Sequence, residues 1–250
     1  MAENGKTIDI EVLRYDPDKD SEPHFQTFTV PYVEHWVVLD ALTHIKDEID
    51  QSLTFRWSCH MAVCGSCGYN IDGEPHLGCK TFLRDYYPNK VRVEPLANFP
   101  IERDLVVVQD DFIDKFADIK PYIIREHHNS VEEGTYKQSR AELIKFKQYT
   151  MCINCLLCYS ACPQYGLNPE FYGPASLSLA HRYNVDSRDE GREERMEVVA
   201  AEEGVWGCTF VGACSRACPK DVDPAGAIQQ MKIAATNDWM KEKLMPWGKK

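Results

Sequence analysis

The stretch that decides the fold is Met151–Pro163, MCINCLLCYSACP, in which four cysteines have the spacing C-x2-C-x2-C-x3-C-P. This spacing is typical of two-cluster ferredoxins, where the first three thiolates surround one iron–sulfur cluster and the fourth ligates the other. Cys152, Cys155 and Cys158 are therefore predicted to share one cluster, and Cys162 to belong to another. The motif thus predicts a second copy of itself elsewhere in the chain.

The second copy is CTFVGACSRACP, Cys208–Pro219, in which Val211 stands where the second cysteine belongs. Because the fourth cysteine of each motif crosses to the other cluster, the two copies predict two ligand sets. The first, for a [4Fe–4S] cluster, contains Cys152, Cys155, Cys158 and Cys218. The second contains Cys162, Cys208 and Cys214.

The second set has three thiolates and an apolar side chain that cannot bind iron, which favours a [3Fe–4S] cluster. Two alternatives remain open at this point. One is a [4Fe–4S] cluster with one iron lacking a protein ligand. The other is a pair of zinc sites built from C-x2-C pairs.

A third group of cysteines lies upstream in FRWSCHMAVCGSCG and GCKT, with the spacing C-x4-C-x2-C and a distant fourth cysteine. That is the plant-type [2Fe–2S] arrangement, and its predicted ligands are Cys59, Cys64, Cys67 and Cys79. His60 raises a Rieske alternative, but Rieske sites replace two cysteines by histidines and all four are present here. His60 is therefore predicted to lie at the surface or beside the ligands.

Composition limits the classes of function. The chain has 250 residues, 44% of them hydrophobic, a formal charge of −11 and eleven cysteines. An odd cysteine count without a secretory signal pattern predicts a reducing compartment with metal-bound thiolates. The acidic balance argues against nucleic-acid binding. No apolar run approaches the ~20 residues that span a bilayer, so a membrane role is expected only through a partner.

The first part of the chain has a β-rich pattern around one helix. KTIDIEVLRY, FQTFTV and KVRVEPL alternate as strands do, and Asp72-Gly73 is a turn signal. In VVLDALTHIKDEID, the residues Val38, Leu42, Ile45 and Ile49 recur at helical spacing and predict a helix packed on the sheet. The predicted fold class is α+β.

The rest of the chain has helical patterns. Asp104 is a candidate cap for a helix carrying Leu105, Val108, Phe112, Phe116 and Ile119 on one face. Ser139 and Glu142 form a predicted capping box, and Gly173-Pro174 opens another helix. The charged stretch from Asn184 to Glu203 is predicted to be a solvated helix and loop. We place two domains at residues 1–105 and 106–250.

The chain resembles the iron–sulfur subunit of succinate dehydrogenase and fumarate reductase over essentially its whole length. The matching stretches are RWSCHMAVCGSCG, ACPQYGLNPEF, GPASLSLAHRYNVDSRD and the CP-K-x-V-D-P run at Cys218–Pro224. The resemblance implies an N-terminal β-grasp [2Fe–2S] domain and an all-helical ferredoxin-like domain with a [4Fe–4S] and a [3Fe–4S] cluster. This agrees with cysteine groups of four, four and three.

The resemblance also implies partners. A flavoprotein subunit would hold FAD and the dicarboxylate site, and membrane anchor subunits, which can hold haem, would bind quinone and keep this chain at the cytoplasmic face of the membrane. The chain would conduct electrons without catalytic residues of its own. Two other functions stay open: a free multi-cluster ferredoxin, and the electron-transfer subunit of another flavin- or thiol-linked reductase.

Within the family, the quinone-facing positions correspond here to Thr209, Phe210, Gln229 and Lys232. Thr209 and the run Gln164 to Leu167 resemble the menaquinone-linked, fumarate-reductase-like branch more than the ubiquinone-linked one. Near the C-terminus, Ile228, Met231, Ala235 and Trp239 have helical spacing. The basic tail that follows, with Met245 and Trp247, is predicted to lie against the anchor or lipid headgroups.

Overall fold

The structure, a computed structural model, describes residues 5–244. These divide into two compact units. The first runs through Gln109 and includes the later segment Ile153–Ala161; the second contains Asp110–Cys152 and the chain from Cys162 onward. The sequence did not indicate that Ile153–Ala161 returns to the first unit, and the boundary after residue 105 stays a prediction.

The first unit is built on a five-stranded mixed sheet. Its strands, in the spatial order β2-β1-β5-β3-β4, are β1 (Thr7–Arg14), β2 (His24–Pro31), β3 (Gly68–Ile71), β4 (Glu74–Leu77) and β5 (Val91–Glu94). β1 pairs antiparallel with β2 and parallel with β5, and β3 pairs antiparallel with both β4 and β5. With helix α1 (Val38–His44), this sheet confirms the α+β class.

The predicted alternation decides which face of the sheet is buried. Ile8, Ile10 and Val12 of β1 are buried, as are Val91 and Val93 of β5. Burial of one such aliphatic side chain contributes about 1.5 to 3 kcal/mol. The alternation of apolar and polar residues along the strands therefore determines which side chains form the core.

Helix α1 packs as predicted through Val38, Leu42 and Ile45, which are fully buried. Ile49, predicted to share this face, is instead 49% exposed. The chain passes into a π-helical turn at Ile45–Ile49. The wider turn changes the angle between successive residues, and so Ile49 leaves the buried face.

Asp104 does not cap a helix. It lies at the turn between strands β6 (Ile101–Arg103) and β7 (Val106–Val107), with a left-handed φ of 46°. Its buried carboxylate accepts hydrogen bonds from Arg14 Nε (3.0 Å) and from the backbone N–H groups of Tyr15 (2.9 Å) and Thr54 (2.8 Å). Through these hydrogen bonds the carboxylate connects the β6–β7 turn to the end of β1 and to the segment at Thr54.

The remaining helices are α2 (Asp110–Asp118), α3 (Arg140–Phe146), α4 (Leu157–Ser160), α5 (Pro163–Leu167), α6 (Pro174–Asn184), α7 (Arg192–Val199), α8 (Ala213–Arg216) and α9 (Pro224–Leu244). All but α4 belong to the second unit. Helix α2 starts after Leu105 and Val108, which therefore lie outside it. No helix within residues 5–244 is both long enough and apolar enough to cross a membrane.

The starts of two helices in the second unit confirm the predictions made from the sequence. Ser139 Oγ accepts from Glu142 N (3.2 Å), and the Glu142 carboxylate accepts from Ser139 N (2.7 Å), which is a complete capping box. Helix α6 opens with Pro174 at its first position, after Gly173 with a φ of 83°.

The charged stretch before Glu203 is not simply solvated. Arg195 of α7 is fully buried, and its guanidinium pairs with Asp189 at 2.6 Å and donates to the carbonyls of Lys120 (3.0 Å) and Tyr122 (2.6 Å). A buried charge is tolerated only where such partners replace water. The high charge content of this stretch therefore gave no indication of the buried Arg195–Asp189 ion pair.

We expect Asp104→Asn to lower the free energy of unfolding by about 2 to 3 kcal/mol, because the buried Arg14 guanidinium loses part of its compensating charge. Asparagine tolerates the left-handed backbone, so the change isolates the charge. Chemical denaturation of the cluster-loaded protein measures it. Glu102→Gln, which removes an exposed charge from the same hairpin, is the control. Equal midpoints for the two variants would contradict this account of Asp104.

Candidate iron–sulfur cluster sites

The first site is the loop from Cys59 to Cys67, where the backbone is folded around sulfur. Cys59 Sγ accepts hydrogen bonds from the N–H groups of Met61 (3.4 Å), Val63 (3.4 Å) and Cys64 (3.3 Å). These donors, that of Met61 first, lower the pKa of Cys59 to about 6. The loop therefore stabilises a thiolate before any metal is considered.

Two residues turn these donors inward. His60 and Ala62 have φ values of 54° and 55°, and each immediately precedes a donor N–H. Non-glycine residues rarely adopt this left-handed conformation. The His60 side chain is exposed, with its ring edge-on to Trp57 at 4.8 Å, so it lies at the surface as predicted.

The other two cysteines of this group are held together on the inner side. Cys79 N donates to Cys67 Sγ at 3.5 Å, and Gly78 N donates to the Cys67 carbonyl at 2.7 Å. Burial first, and the nearby Cys79 and Cys64 as well, raise the pKa of Cys67 to about 12. Metal coordination deprotonates such a thiol outright. The four sulfurs therefore fit a cluster that supplies positive charge at the buried side.

The motif Cys152–Cys158 and its second copy, Cys208–Cys214, in which Val211 replaces the middle cysteine, have matching left-handed positions. In the first, Asn154 and Leu156 are left-handed, with φ of 51° and 63°; in the second, Phe210 and Gly212 are, with φ of 61° and 75°. The residue before α4 has ψ of 6°, and the residue before α8 has ψ of 4°. The internal repeat is thus a repeat of conformation, and Val211 occupies the backbone position that Cys155 has in the first copy.

The second motif forms one cavity with the end of the first. Its walls include Cys162, Cys208 and Cys214 as well as Phe210 and Val211. Phe210 N donates to Cys208 Sγ at 3.4 Å. Burial raises the pKa of Cys162. Burial first, and the nearby Cys162 and Cys208 as well, raise the pKa of Cys214 to about 11. The three predicted ligands therefore line one site, in which Cys214 is buried and Cys162 and Cys208 are partly buried.

The predicted [4Fe–4S] ligands are divided between the units. Cys152 and Cys218 both pack against the buried group formed by Tyr149, Val222 and Ala227. Cys155 and Cys158 lie in the segment Ile153–Ala161 of the first unit. Within residues 5–244, no three His, Cys, Asp or Glu side chains meet at the spacing of a single bound ion. A cluster instead distributes its thiolates over several irons.

The four residues predicted to face quinone lie around the Cys208 loop and on α9. Lys232 Nζ donates to the Cys208 carbonyl at 2.7 Å and lies 5.8 Å from the centre of the Trp206 ring. Thr209 and Phe210 are exposed and line the cavity of the three cysteines. The amide Nε2 of Gln229 is buried and has no hydrogen-bond partner among the described residues.

Sequence reasoning missed two features of these sites. The left-handed residues were not anticipated at positions such as Leu156, since a leucine gives no signal for that conformation. Trp206 and Tyr149, which pack beside Lys232 and beside Cys152, were also missed, because an isolated aromatic residue carries no spacing pattern. The Gly212 of the second motif is the one signal that was available.

Comparisons with known proteins agree with this arrangement. Residues 9–114 match the model of a 2Fe-2S iron-sulfur cluster binding domain, and residues 144–219 match that of a 4Fe-4S dicluster domain. The fumarate reductase iron-sulfur subunit of Mycobacterium tuberculosis is 55% identical over 241 residues, which is 96% of this chain and 98% of that protein. This chain belongs to the family of fumarate reductase and succinate dehydrogenase iron–sulfur subunits.

Other members of this iron–sulfur subunit family show which branch is nearer. The fumarate reductase subunit of Escherichia coli is 54% identical over 98% of this chain and 100% of its own length. The succinate dehydrogenase subunit of Paracoccus denitrificans is 38% identical over 88% of this chain and 85% of its own. The resemblance to the fumarate-reductase-like branch is thereby confirmed.

A solved structure confirms the fold of this family member. A chain of the Mycobacterium smegmatis Sdh1 complex in the apo form superposes with a TM-score of 0.82 at 24% identity, covering 93% of this chain and 96% of that chain. The chain therefore has a [2Fe–2S] ferredoxin domain followed by a dicluster domain, and it is the electron-transfer part of an oxidoreductase.

We expect Cys64→Ala to abolish the [2Fe–2S] signal while the other two clusters persist, because the spacing assigns its sulfur to the [2Fe–2S] cluster alone. Electron paramagnetic resonance of the reduced protein and its iron content measure this. Ser58→Ala, an exposed change beside the same loop, is the control. An undiminished [2Fe–2S] signal would remove Cys64 from the ligand set.

Proposed function

We propose that this chain carries electrons between FAD in a flavoprotein subunit, where succinate and fumarate interconvert, and quinone at membrane anchor subunits. The observation that carries the proposal is the spacing of eleven free cysteines, which predicts groups of four, four and three. That division agrees with the cluster domains matched by the chain and with relatives similar over nearly its full length.

The proposed ligand sets are those that the cysteine spacing predicts. The [2Fe–2S] cluster takes Cys59, Cys64, Cys67 and Cys79; the [4Fe–4S] cluster takes Cys152, Cys155, Cys158 and Cys218; and a [3Fe–4S] cluster takes Cys162, Cys208 and Cys214. Each cluster, when bound, accepts and releases one electron. The chain binds the irons, excludes water and donates N–H groups to sulfur, all of which tune the reduction potential.

The [3Fe–4S] assignment rests on the repeated loop. Val211 has the place of Cys155 in a loop of the same conformation, so a thiolate there would be well placed to ligate a fourth iron. A valine side chain offers no ligand, and the described contacts supply no substitute. A cluster lacking that iron is therefore the natural occupant.

The quinone site is proposed at Thr209, Phe210, Gln229 and Lys232. Reduction of a quinone develops negative charge on its oxygens, which a nearby ammonium and an amide N–H stabilise. Lys232 supplies the charge, and the unpartnered Nε2 of Gln229 supplies a donor that nothing in the described chain uses. The greater similarity to fumarate reductase subunits favours menaquinone.

Attachment to the membrane is proposed to occur through anchor subunits, with or without haem, at the cytoplasmic face. Lys241 and Lys243 end helix α9, and Trp239 is 58% exposed there. Basic and aromatic side chains suit the interface of an anionic membrane. The residues Met245 and Trp247 of the predicted interfacial tail lie outside the described residues.

A free ferredoxin or a subunit of a different reductase would contain the same cysteines. The three functions are therefore distinguished by an experiment on the assembled complex. Succinate added to the purified complex should reduce the clusters of this chain, because their electrons come from the flavoprotein. Dithionite provides the full-reduction reference in the same sample. Clusters that respond to dithionite but not to succinate, in a preparation retaining its flavin, would contradict the proposed function.

Lys232→Ala should lower quinone turnover by about tenfold or more, since a preorganised charge is lost where negative charge develops. Succinate oxidation with an artificial acceptor that takes electrons before the quinone should not change. Lys145→Ala, which removes an exposed lysine of α3, is the matched control. Because Lys232 also donates to the Cys208 carbonyl, the [3Fe–4S] signal must be intact for the comparison. Normal quinone kinetics would exclude Lys232 from the site.

A further inference from the structure

Gly65 lies between two predicted [2Fe–2S] ligands at a point where the chain has no room for a side chain. It is buried, with a φ of +77°, and a Cβ built on it would lie 2.9 Å from Cys155 Cβ, 2.9 Å from the Ile153 carbonyl oxygen and 3.0 Å from Cys155 Cα. Real Cβ atoms essentially never approach other heavy atoms so closely. The loop of the first cysteine group therefore touches the backbone of the second group directly.

The second glycine of the Cys64–Gly68 sequence, CGSCG, has the same neighbour. A Cβ on Gly68 would lie 3.0 Å from the Cys155 carbonyl oxygen and 3.3 Å from Leu157 Cδ2. Cys64 and Cys155 also line one cavity together. Both glycines thus bring a [2Fe–2S] loop against one predicted [4Fe–4S] ligand.

The segment that carries Cys155 is fixed in this position. Ser160 Oγ accepts from Ala97 N (2.9 Å) and is 3.0 Å from Asn70 Oδ1. Asn98 Nδ2 donates to the carbonyls of Tyr159 (2.9 Å) and Ser160 (3.1 Å). Such a network makes the segment rigid, so an added methyl group would have to separate the two loops locally.

We propose that Gly65 is a positioning residue for electron transfer between the [2Fe–2S] and [4Fe–4S] sites: by lacking a side chain, it sets the distance between Cys64 and Cys155. The inference rests on the proposed function, because it needs both clusters. One electron leaves the first site, which is oxidised, and enters the second, which is reduced, with no bond made or broken. Since tunnelling weakens exponentially with distance, a small separation slows it.

The chain contains a matched control for the backbone conformation. Gly73, in the turn between β3 and β4, has a φ of +85°, but a Cβ there would meet nothing within 4 Å. Gly73→Ala therefore imposes the left-handed strain alone, whereas Gly65→Ala imposes the same strain and the collision with Cys155. The difference between the two variants reports the contact.

The test uses the assembled complex in two samples. The cluster interaction is measured with both clusters reduced by dithionite, and electron passage is measured on a sample in which the [4Fe–4S] site starts oxidised. The magnetic interaction between two reduced clusters falls with the third power of their separation and appears as splitting or faster relaxation in electron paramagnetic resonance. In Gly65→Ala we expect full spin counts for both clusters, a weakened interaction and a several-fold slower passage of a flash-injected electron from the [2Fe–2S] site. Gly73→Ala should match the wild type.

Gly68→Ala is the second variant. The φ of Gly68 is not left-handed, so this substitution adds a methyl group against the Cys155 carbonyl without backbone strain. If Gly65→Ala does not assemble, Gly68→Ala provides the test of the contact. A smaller loss of interaction is expected. The role of Gly65 would be overturned if every assembled variant had the same magnetic interaction between the clusters and the same electron-passage rate as the wild-type complex. A wild-type complex with no interacting pair of clusters would instead overturn the proposed function.

Discussion

The structure depends on one constraint: cysteine sulfurs in short loops must be met by backbone N–H groups. The sulfur of Cys59 receives three of them and that of Cys208 receives one from Phe210. Two of these donors, the N–H groups of Met61 and Val63, follow residues in left-handed conformations, which cost about 1 to 2 kcal/mol per non-glycine residue. His60, Ala62 and Leu156 are held in this state by the surrounding fold.

The remaining elements make these loops rigid. The sheet and α1 support the first cysteine group, and Asp104 fastens the hairpin beside it through Arg14. A short helix begins just before Cys158 in the first motif and just before Cys214 in the second, each after a left-handed residue, so these two sulfurs have the same backbone setting. The electrostatic setting still differs among the cysteines: hydrogen bonds lower the pKa of Cys59, whereas burial raises the pKa of Cys67 and Cys214.

What could be predicted from the sequence was local. Cysteine spacing, the strand alternation around Ile10 and the Ser139 capping box involve residues a few positions apart, and the structure reproduces the last two. Asp104 was misassigned because its partners, Arg14 and Thr54, are distant in the chain. The burial of Arg195 was missed because two of its three partners, the carbonyls of Lys120 and Tyr122, are distant in the chain, although the third, Asp189, is near.

The close approach of Gly65 to Cys155 could not be predicted either, because no pattern relates residues so far apart. In the sequence, a glycine beside a metal-binding cysteine is already explained by its backbone freedom. Its long-range contact with Cys155 is therefore not suggested by the sequence. The segment Ile153–Ala161 shows the same limit: its sequence continues the ferredoxin motif, but it packs with the first unit. The proposed role of Gly65 in electron transfer rests on such a contact as well as on the cluster ligands.

The central claim is that eleven cysteines hold three different clusters. A redox titration of the intact complex, followed by electron paramagnetic resonance, tests it most directly. The account predicts three separate signals: one that is present when the protein is oxidised and belongs to a [3Fe–4S] cluster, and two that appear on reduction and belong to the [2Fe–2S] and [4Fe–4S] clusters. Absence of the oxidised-state signal from a complex with full iron content would contradict the assignment of Cys162, Cys208 and Cys214.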